Sequence, residues 1–520
     1  MQFLPHHLHE MMEKYLVLAH EKSDPIFKFI DKKIKPYLSH GFEYLLFQIS
    51  PYWHHLFYYI LVSLLGYICL KGTKQNSSAS SNSHHELNLF FTSVSATTIS
   101  SMSTIEMENF STTQLIVLVI LMFSGGEVFL SLLGLQIRKL KHKKRARNHV
   151  LNPNPSSQTE GIKYKSLRAL NHVVLVYLLV SHILGYIFVS LYISIISPSA
   201  NNVLEMKKLE SHLFSLFVTV STFSNCGFIP TNENMMPFNK NSGLLLILIP
   251  QILFGNKLYP SFLRLVIYVL DKFTKKEEYN YMLNHHSDLG YGLLISSFKA
   301  FLLSVTAIGL IGIQFLVFCF LEWNSIVFQG QNWYRKLVGS LFQTVNSRHS
   351  GESIVDISLL SPATLALFVV MMYLPSSTIF VPLSYDKEST IVSENSQNKR
   401  SGKKEESSFI QNLKFSPLSY LAIFVILVCI TESTSLKEDP LNFTVFNIIV
   451  EVVSAYGNVG FSMGYSCERR LVNSSYCKDT CYGFVGRWTW KGKFLLILVM
   501  LFGRLKRFHF HSGKAWKLSL

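Results

Sequence analysis

The sequence predicts an all-α membrane protein in which eight transmembrane helices and four shorter re-entrant helices make four repeats. Three observations predict it. The 520 residues are 49% hydrophobic and only 15% charged, against roughly 25% charged in soluble domains, and mean hydropathy is +0.26. Such a chain cannot cover a globular surface with polar groups. Apolar runs long enough to cross a bilayer alternate with shorter ones in a long–short–long rhythm. Finally, the phrase VSTFSNCGF (Val220 to Phe228) returns as VSAYGNVGF (Val453 to Phe461), identical at five of nine positions, as a repeated structural unit requires.

The long runs are Leu56–Leu70, Gln114–Ile137, Val173–Ile196, Leu244–Leu270, Leu293–Leu321, Pro362–Leu383, Leu418–Ile430 and Phe494–Phe502. The last two are short; Leu418–Ile430 borrows flanking residues, and Phe494–Phe502 is placed by analogy with the others. Between the members of each pair lie Leu87–Ile99, His212–Phe223, Tyr334–Val345 and Phe443–Tyr456. A helix of that length spans about half of a hydrocarbon core roughly 30 Å thick, so these pieces are predicted to enter and turn back. The organisation is then an N-terminal cytoplasmic or interfacial segment 1–50, repeat 1 at 51–138, a basic link 139–168 and repeat 2 at 169–271. A link 272–291, repeat 3 at 292–384, a link 385–414, repeat 4 at 415–508 and a tail 509–520 complete it. The stretch SSQTEG and the Ser-, Lys- and Glu-rich link 385–414 are expected to be mobile.

Charge orients the chain. The net charge is +16, and the segment from Ile137 to Arg168 alone carries ten Lys/Arg against one acid, Glu160. The other links and the tail, with Arg504, Lys506, Arg507, Lys514 and Lys517, are also basic. All follow the end of a long–short–long unit, so the positive-inside rule puts links and both termini in the cytoplasm. No aromatic interleaving accompanies the basic run, which excludes a nucleic-acid partner in favour of a topology signal. The sequons at Asn76, Asn109, Asn442 and Asn473 all fall on the opposite side. So do Cys467, Cys477 and Cys481, a pool for one disulfide whose pairing the sequence leaves open; a zinc site is the weaker reading, since no His joins them. No cleavable signal peptide is evident.

The role of the repeated phrase lies in its glycine. Aligning the four units as VSATTISSM, VSTFSNCGF, TVNSRHSGE and VSAYGNVGF brings Ser101, Gly227, Gly351 and Gly460 into register just past a short helix. A helix C-terminus favours a cation nearby. Non-helical backbone at membrane depth is tolerated where it lines a watery cavity. Glycine there lets consecutive carbonyls point inward and replace an ion's hydration shell. A single such glycine is more often a packing residue; four in register point to a monovalent-cation pore.

Enzyme chemistry is not supported. HLHEMMEKY lacks the second His of a zincin motif, the His54–His55, His84–His85 and His285–His286 pairs meet no carboxylate or Cys array, and no P-loop, nucleophile elbow or dinucleotide fingerprint occurs. No cofactor is predicted, and transport would run down the electrochemical gradient. A multispanning receptor or scaffold is the rival from another class, but it should show uniform spans without short pieces ending in aligned Gly or Ser.

From about Phe90 to Trp516 the chain resembles the plant high-affinity K+ transporter (HKT) family, in one superfamily with the Trk/Ktr potassium transporters. The resemblance rests on FFTSVSATTISSMSTIEME, STFSNCGFIPTNENM, NSGLLLILIPQ, KLVGSLFQTVNSRHSGESIVD, MMYLP, EVVSAYGNVGFSMGYSCERR and GRW…GKF. It implies four membrane–pore–membrane repeats arranged pseudo-fourfold around one pore in the plasma membrane. Members with Gly at all four filter positions carry K+ along with Na+; members with Ser at the first, as Ser101 here, form the Na+-selective class I. The resemblance thus implies passive Na+ transport, with Na+/K+ symport or K+ uptake as the alternative and a homodimer as a further expectation. A helix-terminal cap is the competing role for Ser101. The resemblance also implies a gating loop that breaks the helix of MMYLPSSTIF, making Pro375, Ser376 and Ser377 barrier candidates within Tyr373 to Thr378. Arg504 matches an arginine facing the pore beneath the filter; its rival role is a cytoplasmic anchor. Glu106, Glu108, Glu233 and Glu352 follow the filter segments. They are expected at the outer mouth, concentrating cations or pairing with Arg348, Arg469 or Arg470, with pairing the favoured role for Glu352.

Overall fold

A computed structural model describes residues 51–73, 85–149, 157–374, 417–470, 477 and 479–509. Among these residues every regular element is a helix. The chain divides into two compact units, Met1–Tyr58 and Tyr59–Leu520. The first is described only from Pro51, where helix α1 (Pro51–Gly72) begins, and every later helix belongs to the second.

The remaining helices are α2 (His85–Thr98), α3 (Thr112–Gly125), α4 (Glu127–His149), α5 (Ser157–Leu191), α6 (Pro198–Met206) and α7 (Ser211–Ser224). Then come α8 (Ser242–Gly255), α9 (Tyr259–Thr274), α10 (Glu277–Asn284), α11 (Ser297–Glu322) and α12 (Trp333–Asn346). The last are α13 (Pro362–Tyr373), α14 (Pro417–Thr431), α15 (Ser433–Glu438), α16 (Val445–Gly457) and α17 (Trp490–His509). The short helices expected from sequence are α2, α7, α12 and α16, each within two residues of its expected bounds. SSQTEG differs from expectation: α5 begins inside it at Ser157, and α4 runs on to His149, so helix enters the basic segment from both sides.

Local chemistry sets the helix starts. Ser111 and Gln114 form a capping box at α3. Ser361 caps α13 with Pro362 in its first turn, and the Glu322 carboxylate accepts from both the Ser361 N–H (2.9 Å) and the Thr364 hydroxyl (2.7 Å). The buried Glu322 thereby ties α11 to the start of α13.

Packing places the short helices in cyclic order. Three of them pack against the helix that follows and against the helix that follows the preceding short one, and α12 keeps only the second contact: α7 lies on α3 and α8, α12 on α8, α16 on α13 and α17. The first, α2, closes the cycle on α3 and α17. One apolar core draws on all four, through Val94, Val218, Val345 and Val452 among others.

Three helices, Tyr52–Gly72, Gly161–Ile196 and Ser297–Glu322, are each long and apolar enough to cross a membrane. Two bent pairs, Thr112–Gly125 with Glu127–Leu140 (58°) and Ser242–Gly255 with Tyr259–Thr274 (84°), qualify together, giving up to five spans among the described residues. That is fewer than the eight expected, for visible reasons. Helix α13 ends at Tyr373 with Leu374 extended, α14 has 15 residues, and α17 carries Lys491, Lys493, Arg504 and Lys506. Helices α5 and α11 present Ile183, Phe188, Leu316 and Phe320 outward, the last 87% exposed. Apolar surface on this scale suits lipid rather than water.

Three of the helices behind the short ones are approached closely at a glycine. A β-carbon on Gly125, Gly255 or Gly503 would overlap the carbonyl oxygen of Thr97, Phe223 or Tyr456 respectively. Each of those carbonyls stands four residues before a filter position. The end of the short helix therefore presses into the helix behind it, and only a residue without a side chain admits the approach.

Candidate functional site

The backbone marks the four aligned positions first. Ser101, Gly227, Gly351 and Gly460 have φ of +52°, +90°, +69° and +106°. Glycine enters this region freely, whereas a serine there is strained by about 1–3 kcal/mol. The four also meet. A β-carbon on Gly227 would overlap the Ser350 carbonyl, one on Gly351 the Val459 carbonyl, and one on Gly460 the Ser101 side chain. Segment 2 thus touches segment 3, segment 3 touches segment 4, and segment 4 touches segment 1; the Ser101 hydroxyl in turn lies against Gly227. The Ser101 side chain thus lies between Gly460 and Gly227 in this ring.

Side chains of the short helices hold the ring from below. The Ser221 hydroxyl accepts the Gly227 N–H and the Ser454 hydroxyl accepts the Gly460 N–H, both at 3.0 Å, while the Ser95 hydroxyl accepts the Met102 N–H at 2.8 Å. Two residues before the glycine, Asn225 and Asn458 sit at φ +59° and +51°. Asn225 donates to the Ile252 carbonyl of α8 (3.0 Å), and Asn458 to the Met500 carbonyl of α17 (3.1 Å) and to the Ser100 hydroxyl (2.8 Å). These asparagines fasten each turn to the helix behind. In segment 3 the residue is His349, and Lys257 reaches across from the α8–α9 break to the Arg348 carbonyl.

A hydrogen-bonded collar surrounds the outer side. Glu108 and Asn232 exchange backbone-to-side-chain bonds (3.0 and 3.1 Å), joining the loops that follow segments 1 and 2. Lys207 adds ion pairs to Glu108 (2.8 Å) and Glu233 (2.7 Å). Burial lowers the Lys207 pKa, but the two carboxylates outweigh it, and the net shift is upward from 10.5. Asn234 accepts from the Ser353 N–H (3.2 Å), Arg469 donates to the Ser358 hydroxyl (2.8 Å), and Gly483 donates to the Ser103 carbonyl (3.1 Å), closing the circuit. Inside the collar is an outward-opening cavity of about 600 Å3, lined by Ser101, Gly351, Gly460, Glu233, Asp356 and Glu468 among others.

The expected acids separate. Glu233 lines the cavity, Glu108 is bonded in the collar, and the Glu106 carboxylate accepts the Cys481 N–H (3.2 Å). Glu352 is a correction. It is fully buried, off the cavity wall, and its carboxylate takes the Thr222 hydroxyl (2.6 Å) instead of an arginine. Of the expected partners, Arg469 donates to Ser358 and Arg470 lies 4.0 Å from Asp439. Arg504 is buried at 7% exposure. Its guanidinium donates to the Tyr59 hydroxyl (2.9 Å) and to the Gly125 carbonyl (2.7 Å) freed at the α3–α4 break. Pro375, Ser376 and Ser377 lie outside the described residues. The disulfide is Cys467–Cys477, leaving Cys481 as a free thiol. Among the described residues no group of three or more His, Cys, Asp or Glu is placed to hold a metal ion.

Sequence reasoning missed Lys207, Asp356 and Glu468. It also missed Glu451, which is fully buried on α16 and accepts the Ser462 hydroxyl at 2.5 Å. An acid inside an apolar short helix was the signal that could have found it.

Residues 58–506 match the TrkH family, described as cation transport proteins. The chain is 49% identical to the sodium transporter HKT1 of Arabidopsis thaliana over 456 residues, covering 84% of this chain and 89% of that one. It is 42% identical to the cation transporter HKT1;3 of Oryza sativa subsp. japonica, covering 98% of each. The crystal structure of the potassium transporter TrkH from Vibrio parahaemolyticus aligns at a TM-score of 0.48 and 14% identity, over 90% of this chain and 86% of that one. A family match across the ring, the collar and the helices behind them, with relatives this similar over nearly their whole length, means that the chain belongs to the TrkH/HKT family of cation transport proteins, which are ion transporters and not enzymes.

Proposed function

We propose that this protein is a passive, Na+-selective transporter of the plasma membrane, with both termini cytoplasmic and a filter formed by Ser101, Gly227, Gly351 and Gly460. The observation that carries it is the contact ring of four residues, all with positive φ, at the ends of four short helices. Four helix C-termini converge their negative poles there. Main-chain carbonyls at such a point take over from the ion's water. Ser101 supplies the selectivity: where Gly460 has no room for a β-carbon, Ser101 already fills it, and the ring is narrowed on one side. A larger K+ then loses more than Na+ does. Arg504, buried beneath segment 1, raises a barrier to cations leaving toward the cytoplasm. The sodium-transporter name of the relative with 49% identity supports the Na+ reading.

The test is the reversal potential of currents in expressing oocytes. It should follow external Na+ and hardly respond to K+; equal sensitivity to both ions would replace this reading with Na+/K+ transport. Ser101→Gly should raise K+ permeability several-fold, and an unchanged permeability ratio would remove Ser101 from the selectivity mechanism.

A further inference from the structure

Glu352 has no counterpart in the other three segments. The residues directly after Ser101, Gly227 and Gly460 are Met102, Phe228 and Phe461, all apolar and buried. Only segment 3 puts a carboxyl in this position, and it is 0% exposed. The side chain does not line the outer cavity, although Gly351 and Ser353 on either side of it do. It points behind the ring, where one oxygen accepts the hydroxyl of Thr222 at 2.6 Å. The other meets no hydrogen-bond donor among the described residues. A buried polar atom left without a partner calls for a functional explanation.

The location of this bond matters. Thr222 belongs to α7 and stands five residues before Gly227, so the bond joins the short helix of repeat 2 to the filter segment of repeat 3. At the same junction the Ser350 carbonyl fills the space in which Gly227 would carry a β-carbon. Above it, Asn234 holds the Ser353 N–H and the Met235 N–H donates to the Ser353 carbonyl. The third segment is therefore fixed to repeat 2 on its outer side by the collar and on its hidden side by Glu352.

We infer that Glu352 is a positioning and specificity-determining residue: through Thr222 it sets the spacing between filter segments 2 and 3, and it places a buried carboxyl beside the ion path without touching the ion. This rests on the proposed filter. Loosening the brace lets the Ser350–Gly227 junction widen, which relieves the larger cation more than the smaller one.

The experiment measures reversal potentials in Na+/K+ mixtures, and the half-saturating Na+ concentration, for Glu352→Gln, Thr222→Val, Thr222→Ser and the Glu352→Gln/Thr222→Val double variant, with Ser101→Gly alongside. Thr222→Val removes the bond and Glu352→Gln exchanges the carboxylate acceptor for a weaker, neutral amide oxygen, so each should raise the K+/Na+ permeability ratio by about threefold or more. The double variant should go no further than the larger single one, and Thr222→Ser should keep wild-type selectivity. A permeability ratio does not depend on how many transporters reach the surface, so a purely structural role would lower the current and leave the ratio unmoved. The inference is overturned if both single variants reverse at the wild-type potential, or if their effects add in the double variant. It is overturned equally if both are lost from the surface while Thr222→Ser is normal, which would make the pair a folding contact. If Ser101→Gly shifts the ratio and the Glu352 and Thr222 variants do not, this inference alone fails; if none shifts it, the filter assignment fails too.

Discussion

Ser101 and the three glycines share one backbone requirement and differ by a single methylene with a hydroxyl. The ring has room for that group at position 101 and not at the others, because the neighbouring carbonyl or the Ser101 side chain already fills the space. Gly227→Ala therefore combines a φ of +90° with an overlap on the Ser350 carbonyl. It should abolish current and cut surface expression, with a strain of at least about 2 kcal/mol; a Gly227→Ala protein that conducts normally would show that segment 2 does not abut segment 3. Cys481 shows how local charge acts at the same scale. Burial raises its thiol pKa, and the charges of Glu233 and Glu106 raise it further. The reactive thiolate is thus scarce at neutral pH. Labelling of Cys481 by an impermeant thiol reagent should be slow at pH 7 and accelerate steadily as pH rises past about 9, above the ordinary thiol value. A rate already at its plateau near pH ~8 would contradict the upward shift.

At the scale of elements, the short helices end in a turn built for fastening. Asn225 and Asn458 reach back to carbonyls of α8 and α17, and Gly255 and Gly503 on those same helices allow the close approach. The repeated phrase shows both residue types in the sequence, Asn and Gly, yet only the glycine's role follows from spacing. The asparagine's partner lies 27 positions away for Asn225 and 42 for Asn458, and nothing local announces it. Asn458→Gly keeps the backbone free to hold φ +51° and removes the two donated bonds. It should destabilise the detergent-solubilised protein by about 1–3 kcal/mol, read as a lower melting temperature. No change would mean that α17 is held by apolar packing alone.

For the molecule as a whole, the collar joins loops next to all four segments, so the mouth of the cavity is set by contacts between segments far apart in sequence. Lys207 both braces the loops that follow segments 1 and 2 and neutralises the carboxylates of Glu108 and Glu233. Its folded-state pKa is raised, so its contribution is complete below the ordinary lysine value of 10.5 and is lost only as pH rises through the raised one. The clamp is thus charged throughout the physiological range. Lys207→Gln should uncover Glu108 and Glu233, lower the Na+ concentration for half-maximal inward current roughly twofold at low ionic strength, and lose that effect near 1 M salt, where screening acts within about 3 Å. Equal half-saturation in both variants at low salt would show that the carboxylates do not act on arriving cations.

The sequence by itself determined the membrane class, the four short helices to within two residues, and the alignment of Ser101, Gly227, Gly351 and Gly460. These are matters of apolar run length and local backbone chemistry, and both are written in consecutive residues. Only the tertiary structure decided that Glu352 turns behind the ring to Thr222, that Arg504 is buried against Gly125 and Tyr59, and that Cys467 takes Cys477 as its partner. A charged side chain finds its partner by where the folded elements bring it. The long-range order that sets those meetings has no periodicity along the chain.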